Sequence, residues 1–417
     1  MSKVKTLLKN LGPGLLFASM AIGTSHLVLS TKAGAQYGWL MVIPIVLANI
    51  LKYPFFEFGI RYTNVTGKSL IEGYLNRGRG YLWLYALITL ITTFTILAAL
   101  YVVTSGLFIN LFKIPDVPVS MVALGLFVFI GTLLIIGRYK FLETSLKFVI
   151  SILFVALIVT TALVVFNGKV ASVPDFRPPE IFNEVGILFL IGLVGWMPTA
   201  VEASSWVSLW SLEKFKLTGK KLSLGEALQE FNSGYIMTAL FAVFFLVIGW
   251  MTLYGTNTEI SGNAIIFADQ LVNLFTSNIG AWAYIFIAVS AFATMFSTCM
   301  TAHDAVARVS VDIVELLFLK DRAFPRKRYF TIGVIALAVI NFIVISAFGA
   351  NMGQLVAMAT FVSFVLAPVV GYMNLKNVMS SDLPEAARPR RRLQFLTYTG
   401  IIFLSLFAVY YCWIILF

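Results

Sequence analysis

Four residues with small or polar side chains, Gly23-Thr24-Ser25-His26, interrupt the apolar segment over residues 12–39. A bilayer interior has no water to satisfy polar groups, so such a run at mid-depth must face protein or a cavity. Glycine, threonine and serine at that depth also let a helix unwind, which frees backbone carbonyls to bind a solute. These four residues are therefore a candidate solute-binding site inside a membrane.

A second interruption lies in the apolar segment over residues 184–210, which contains Gly192, Gly195 and Pro198. Proline removes a backbone donor and clashes with the preceding turn, so we expect the helix to kink or unwind there. Glu202 follows Pro198 by about one turn. A carboxylate inside a membrane segment is a functional candidate by default, with a structural partner on a neighbouring helix as the alternative.

The composition places the whole chain in a membrane. Of the 417 residues, 59% are hydrophobic and 12% are charged, and the mean hydropathy is +0.91. These values exclude a soluble globular domain and predict an all-α protein with many membrane spans. Because Cys299 and Cys412 both fall in apolar segments, we expect free thiols rather than a disulfide.

Eleven apolar runs are long enough to cross about 30 Å of hydrocarbon. We number them spans 1 to 11, at residues 11–32, 38–60, 82–112, 117–137, 144–167, 184–210, 231–255, 279–303, 330–348, 352–375 and 394–416.

Lysine and arginine fall on alternate connections between these spans, which predicts the orientation. The basic side holds the N-terminal tail and residues 61–79, 138–147, 214–221, 320–328 and 376–392. The opposite side holds Lys32, Lys113, Lys169 and Arg177. We therefore expect a multi-pass protein of the plasma (inner) membrane, with the N-terminus cytoplasmic and the C-terminus external. This distribution also excludes nucleic acid as the partner of the net charge of +11.

Residues 168–183 form a Pro-rich connection that divides the chain into two halves of five spans. The predicted organisation is one transmembrane domain, 1–417, with a first repeat at 1–167, a second at 184–375 and an eleventh helix at 394–416. The two interrupted segments are the first span of each half, a pattern typical of inverted-repeat transporters with a site at the midplane. Residues 263–275 are predicted to form a short amphipathic helix, either a lid or an interfacial segment.

Several motifs resemble the NRAMP (natural resistance-associated macrophage protein) family of divalent-metal transporters. They are GPGLLF near the start, AGAQYGW at 33–39, VLAN at 46–49, TGKSLIEGY at 66–74 and Met197-Pro198, which is similar to that family's MPH motif. The resemblance implies a leucine-transporter-like fold of 5+5 inverted repeats plus an eleventh helix. It also implies alternating access and, as the usual activity, proton-coupled uptake of manganese or ferrous iron.

The chain departs from that family at the metal ligands. Residues 23–26 stand where the family has DPGN, which places Gly23 at the metal-binding aspartate and His26 at the metal-binding asparagine. The resemblance assigns the other two ligand positions to the Val194 carbonyl and Met197.

The proton pathway of the family is also altered. Thr199 and Ser204 stand where the family has two histidines in its sixth helix. Ala98 and Tyr101 stand at the acidic positions of the third helix that are linked to proton transfer. These departures from the family favour coupling to an ion other than the proton.

Two substrate classes remain open. Manganese and iron need oxygen ligands, of which at least one is usually anionic, so a site without the aspartate holds a dication poorly. A divergent metal carrier would use His26, Met197 and Glu202. The favoured alternative is a small polar organic solute, held by hydroxyl, imidazole, carboxylate and aromatic groups. Its predicted contacts are Gly23, Thr24, Ser25, His26, Tyr101, Val194, Trp196, Met197, Thr199 and Glu202.

The predicted coupling ion is sodium, bound by Thr294, Ser297 and Thr298 of span 8 together with backbone carbonyls of span 1. In the leucine-transporter fold such hydroxyls form a sodium site, although serine and threonine also satisfy helix backbone in lipid. His303 and Asp304 offer an alternative proton relay, or a simple salt bridge at the end of the helix. No GxxxxGK[ST] motif is present, which disfavours a pump driven by ATP.

We therefore predict a transporter rather than an enzyme, with no cofactor beyond a coupling sodium ion or proton. Its partners are a small solute or ion and the lipid bilayer, and the sequence leaves the oligomeric state open. A membrane receptor that binds without transporting remains an alternative from another class. A channel is disfavoured because neither a selectivity-filter repeat nor a ring of like charges is visible.

Overall fold

A computed structural model of the chain describes residues 13–136, 154–219, 221–319 and 325–416, and the regular elements in these ranges are all helical. Their fifteen α-helices are α1 (Pro13–Ala21), α2 (Val42–Thr66), α3 (Leu70–Arg77), α4 (Arg79–Thr93), α5 (Ile96–Phe112), α6 (Val119–Ile136), α7 (Phe154–Asn167), α8 (Glu184–Trp196), α9 (Ala203–Thr218), α10 (Leu224–Leu253), α11 (Ala264–Ile279), α12 (Tyr284–Phe318), α13 (Arg326–Ala347), α14 (Met352–Val378) and α15 (Arg391–Leu416).

Eight helical segments in these ranges are long and apolar enough to cross a membrane. They are Trp39–Thr66, Arg79–Phe112, Val119–Ile136, Leu224–Leu253, Tyr284–Phe318, Arg326–Ala347, Met352–Val378 and Arg391–Trp413. Spans 1 and 6 are not among them because each is divided into shorter helices, and span 5 begins outside the described residues. The all-α membrane architecture is thus confirmed, whereas the count of eleven and the bounds of the two repeats stay predictions.

Span 1 is interrupted at residues 22–24, which we call the first break. Helix α1 ends at Ala21, and the chain continues as a wide helical turn at Ser25–Ser30. The amides of His26 and Leu27 both donate to the Gly23 carbonyl, at 3.0 and 2.9 Å. The backbone comes close to a neighbouring side chain here, since a Cβ at Gly23 would lie 2.8 Å from a methyl group of Thr298. The first break therefore packs directly against α12.

Span 6 is interrupted at residues 197–202, which we call the second break. Helix α8 ends at Trp196, and α9 begins at Ala203. Pro198 lies inside this interval and has no N–H to donate to the preceding turn. Gly192 and Gly195, in contrast, remain within α8. The helix is thus interrupted at the proline and not at the two glycines.

Close helix contacts hold the first span in place. After a second wide turn at Ala33–Tyr37, the chain lies against α10. A Cβ at Gly34 would lie 2.0 Å from the Leu246 carbonyl, and one at Gly249 would lie 2.2 Å from the Thr31 carbonyl. Small residues permit this approach, as is common between membrane helices.

The helices end at two faces, named here after one loop of each. On the 254–263 face, the Gly353 amide donates to the Gly262 carbonyl at 3.1 Å. On the 380–390 face, Arg61 donates to the Ala387 carbonyl at 2.7 Å. Helix α14 runs from the first face to the second. The amphipathic helix predicted at residues 263–275 is confirmed as α11, which the Asn263 side chain caps.

Candidate substrate site

The two breaks meet at a small central cavity of about 20 Å³. Its walls come from the breaks and from α1, α5, α8, α9 and α12. The lining residues are Met20, Ala21, Thr24, Ser25, Ile96, Leu100, Trp196, Thr199, Ala200, Trp206, Thr298 and Ala302. This volume holds about one water molecule, so the cavity is too small for a larger solute in this conformation.

Four of the predicted contact residues, Thr24, Ser25, Trp196 and Thr199, line this cavity together. The Trp196 indole is held in place by a hydrogen bond of 3.0 Å from Nε1 to the Ser363 hydroxyl on α14. No acidic side chain stands among the described residues that form the wall. The cavity therefore offers hydroxyl groups and an indole face.

Ser25 and His26 lie next to each other in sequence but face different neighbours. The Ser25 hydroxyl lies 2.9 Å from the Ala21 carbonyl, 3.3 Å from the Pro198 carbonyl and 2.8 Å from His26 Nδ1. It therefore links the first break to the second.

His26 is fully buried and turned toward α10. Its Nε2 lies 2.9 Å from the Thr238 carbonyl. A carbonyl only accepts hydrogen bonds, so Nε2 carries a proton and donates. Both ring nitrogens are thus engaged by the protein, and the ring lies outside the central cavity. A role of His26 in binding solute or metal stays a prediction.

The other predicted contact residues lie away from the cavity wall. Met197 is fully buried, and Tyr101 is directed toward His303, with its hydroxyl 2.8 Å from His303 Nδ1. His303 Nε2 donates to the Val334 carbonyl at 3.0 Å, so Nδ1 accepts a hydrogen bond from the Tyr101 hydroxyl. Asp304 was predicted to serve either in a proton relay or in a salt bridge. It forms a salt bridge in the structure, with Arg308 Nε 2.7 Å from Asp304 Oδ2.

Glu202 is buried at the start of α9. Neither oxygen of its carboxylate has a hydrogen-bond partner within the described part of the chain. Glu202 is not among the residues that line the central cavity. A role of Glu202 in binding solute or metal stays a prediction.

Lys52 is a site residue that the sequence reasoning missed. It is fully buried, and its Nζ donates to the carbonyls of Val194, Gly195 and Thr199 at 3.0, 2.8 and 3.0 Å. Lys52 could have been found from the sequence, because it is a charged residue inside the apolar span at 38–60. Like Glu202, it is a charged side chain within a membrane segment and therefore a functional candidate.

Oxygen atoms also converge where α12 meets the first break. Thr298 Oγ1 lies 3.0 Å from the Ser19 carbonyl, 3.3 Å from the Ile22 carbonyl and 3.0 Å from the Thr294 carbonyl. Ser297 Oγ lies 3.3 Å from Ser19 Oγ. The Thr294 hydroxyl turns away and donates to its own helix. We call Ser19, Ile22, Thr294, Ser297 and Thr298 the oxygen cluster.

The cluster contains more acceptors than its hydroxyl hydrogens can serve, because Thr298 has one proton and three carbonyls within reach. An excess of oxygen atoms with few donors is the ligand chemistry of a hard cation. Ser19 was missed from the sequence, since its position only becomes informative once α1 is placed beside α12.

Two larger cavities flank the central one. One, of about 350 Å³, opens at the 254–263 face and reaches Val28 and Gly192, each about one helical turn from the central cavity. Its wall is mostly apolar and contains the Lys32 side chain. The other, of about 240 Å³, lies toward the 380–390 face and is lined by charged groups that include Arg308 and Asp312. The small central cavity thus lies between two larger cavities, one toward each face.

Among the described residues, no group of three or more histidine, cysteine, aspartate or glutamate side chains is placed to hold a metal ion. A metal at the central cavity would therefore depend on hydroxyl and backbone oxygens. Neutral oxygens of this kind compensate the charge of a dication poorly.

A family model described as Natural resistance-associated macrophage protein-like matches residues 14–414. The chain belongs to this family. It is also 32% identical over 407 residues to an uncharacterized protein of Pasteurella multocida (strain Pm70), with 96% of this chain and 90% of that protein covered.

Solved structures similar to this Nramp-like chain have the same fold at low identity. A variant of the Eremococcus coleocola manganese transporter matches with a TM-score of 0.71 and 16% identity, covering 98% of this chain and 86% of that one. Mhp1, a nucleobase-cation-symport-1 family transporter in a closed conformation with bromovinylhydantoin bound, matches with a TM-score of 0.61 and 12% identity, covering 96% and 91%. The Nramp-like chain thus has a leucine-transporter-like fold and is a multi-pass membrane protein of a transporter family.

Proposed function

We propose that this Nramp-like protein is a secondary-active transporter that carries a small polar organic solute by alternating access around the two breaks. The observation that carries the proposal is the wall of the central cavity, where hydroxyls of Thr24, Ser25 and Thr199 meet the Trp196 indole without an acidic side chain. Hydrogen-bonding groups beside an aromatic face are typical of sites for small organic molecules.

A manganese or iron ion is a poorer occupant of this cavity. Gly23 supplies no carboxylate, both ring nitrogens of His26 are engaged, and Glu202 is absent from the cavity wall. A dication would then lie in a low-dielectric site without an anionic ligand, which is costly. The structure of the similarly folded Mhp1 contains bound bromovinylhydantoin, which supports an organic molecule as the occupant of this fold.

A metal carrier is kept as the second candidate because the Eremococcus coleocola neighbours are manganese transporters. In that case His26, Met197 and Glu202 would have to turn toward the cavity, and Glu202 would act as the substitute anion. This requires breaking the hydrogen bond between His26 and the Thr238 carbonyl.

Sodium at the oxygen cluster is the proposed coupling ion. Carbonyls of Ser19 and Ile22 on the first break and the hydroxyls of Ser297 and Thr298 on α12 would form its ligands. Binding there would tie the first break to α12, so an ion would favour one of the two conformations that alternate around the central cavity.

The 380–390 face is proposed to be cytoplasmic, since the basic connections that include Lys216 and Arg390 lie at that side of the membrane by the positive-inside rule. Single cysteines introduced at Lys216 and Arg390 should react with an impermeant reagent only from inside, and one at Lys169 only from outside. Labelling of any of these from the opposite side contradicts the orientation.

The direct test is uptake into proteoliposomes. We expect saturable uptake of a member of a panel of amino acids, nucleobases and polyols, and no saturable uptake of manganese. Ser25→Ala should reduce that uptake about 3- to 10-fold, the loss of one net hydrogen bond. Ser233→Ala is the matched control, because within the described residues the Ser233 hydroxyl bonds to the Gln229 carbonyl of its own helix.

Saturable manganese uptake that Met197→Ala abolishes would overturn the organic solute in favour of the metal carrier. Saturable binding of a panel member without any flux in either direction would overturn transport in favour of a membrane receptor.

A further inference from the structure

The Lys52 side chain ends in a set of three backbone carbonyls at the second break. Nζ lies 3.0 Å from the Val194 oxygen, 2.8 Å from the Gly195 oxygen and 3.0 Å from the Thr199 oxygen. Three carbonyls need three N–H donors, and a lysine has three only as an ammonium. The geometry therefore describes a charged group inside the protein.

The second break creates this set of carbonyls. In a continuous helix the amides four residues later would satisfy them, but the residue four positions after Val194 is Pro198, which has no N–H. The Val194 carbonyl accepts from the Met197 amide at 3.3 Å instead. The residue four positions after Thr199 is Ala203, whose amide donates to the Ala200 carbonyl. Lys52 adds donors to carbonyls that have lost their usual helical partners.

An acidic residue belongs to the same break. Glu202 follows Thr199 by three residues and is buried, and the geometry gives its carboxylate oxygens no hydrogen-bond partner within the described ranges. Three carbonyls beside a carboxylate form the ligand set of a hard cation such as sodium, calcium or manganese. The Lys52 ammonium, a cation covalently attached to the chain, therefore occupies a group of oxygen atoms that would suit a free metal ion.

We propose that Lys52 is a tethered cation that fills an oxygen site at the second break and thereby excludes metal ions from it. Removing the lysine converts the break into a cation site made of the Val194, Gly195 and Thr199 carbonyls and the Glu202 carboxylate. This inference goes beyond the proposed function, because neither Lys52 nor Glu202 lines the central cavity and the site does not depend on which solute that cavity takes.

The test uses the purified full chain with Lys52→Ala and n-propylammonium, whose three carbons and nitrogen replace the deleted atoms. We expect propylammonium to raise the thermal midpoint of the variant by on the order of 5 °C and to leave the wild type unchanged. Tetramethylammonium carries the charge but no N–H, so it should give no such rise. Lys113→Ala, which removes a lysine near the 254–263 face, is the matched control and should not respond.

Manganese provides the second readout. Calorimetry should detect saturable binding of manganese to Lys52→Ala, and neither to the wild type nor to the double variant Lys52→Ala/Glu202→Gln. A folded Lys52→Ala protein that ignores both propylammonium and manganese overturns the proposal. Equal binding of manganese by the wild type overturns it as well. Because the propylammonium readout needs neither a substrate nor a metal, it fails or succeeds separately from the transport assay.

If Lys52→Ala does not fold, Lys52→Met and Glu202→Gln form a double-variant cycle that preserves the aliphatic volume. A tethered cation predicts that Lys52→Met lowers the thermal midpoint less in the Glu202→Gln background than alone, since the unpaired carboxylate is then gone. Equal losses in both backgrounds would mean that Lys52 only packs, and would refute the proposal.

Discussion

The two breaks of this Nramp-like chain satisfy their freed carbonyls by different chemistry. At the first break, the carbonyls of Ser19 and Ile22 face the neutral hydroxyl of Thr298. At the second break, three carbonyls face the ammonium of Lys52. Both breaks interrupt the first span of a predicted half, so the difference lies in the neighbouring helix rather than in the interruption itself.

The two solutions have different consequences for ions. A hydroxyl can rotate its proton away and offer its oxygen, so the oxygen cluster can exchange a hydrogen bond for a bound cation. An ammonium has no lone pair to offer, and its charge repels a second cation. This contrast assigns ion coupling to the first break and a fixed charge to the second.

The largest expected difference between the breaks is in stability. Lys52→Met should lower the free energy of unfolding by about 3–5 kcal/mol, because it leaves the Glu202 carboxylate buried and unpaired. Thr298→Val should cost only about 1 kcal/mol, the value of one neutral hydrogen bond. Unfolding in mixed micelles measures both. Equal losses for the two variants would erase the contrast between a charged and a neutral break.

The sequence predicted the interruptions better than it predicted what faces them. Gly23 and Pro198 locate the breaks because a missing Cβ and a missing N–H are properties of the residue itself. The directions of His26 and Glu202 are different, since an unwound stretch resets the helical phase of the residues after it. Spacing alone therefore does not tell whether such a side chain points to the cavity or to a neighbouring helix.

Lys52 illustrates a separate limit. A lysine in an apolar span can be recognised as unusual from the sequence. Its partners, however, are backbone carbonyls of residues 142 to 147 positions away, and backbone carbonyls leave no trace in side-chain patterns. The oxygen cluster was partly predictable, because the sequence shows the side-chain hydroxyls of Ser297 and Thr298 directly.

The next difference concerns close packing. A Cβ at Gly195 would lie 2.5 Å from the backbone oxygen of Thr360, whereas one at Gly23 would meet the end of the Thr298 side chain. Backbone cannot move aside as a side chain can, so Gly195→Ala should lower the free energy of unfolding by about 1–3 kcal/mol. Gly23→Ala should cost less than half of that. The same micelle titration compares them, and the reverse order would contradict the packing at the second break.

The smallest effect, and the most specific, is on sodium dependence. Thr298→Val keeps the shape of the side chain but removes the oxygen that faces the Ser19 and Ile22 carbonyls. With a solute identified by the uptake screen, the sodium concentration for half-maximal uptake should rise about tenfold, which corresponds to about 1.4 kcal/mol of lost ion binding. Thr252→Val is the control, since in the described part of the chain the Thr252 hydroxyl donates to the Ile248 carbonyl of its own helix, α10. Glu202→Gln, at the other break, should leave the sodium requirement unchanged even if it alters stability. Uptake that proceeds without sodium and responds instead to an acid-outside gradient would move the coupling away from the oxygen cluster, because a proton needs a titratable group and the cluster's side chains are hydroxyls.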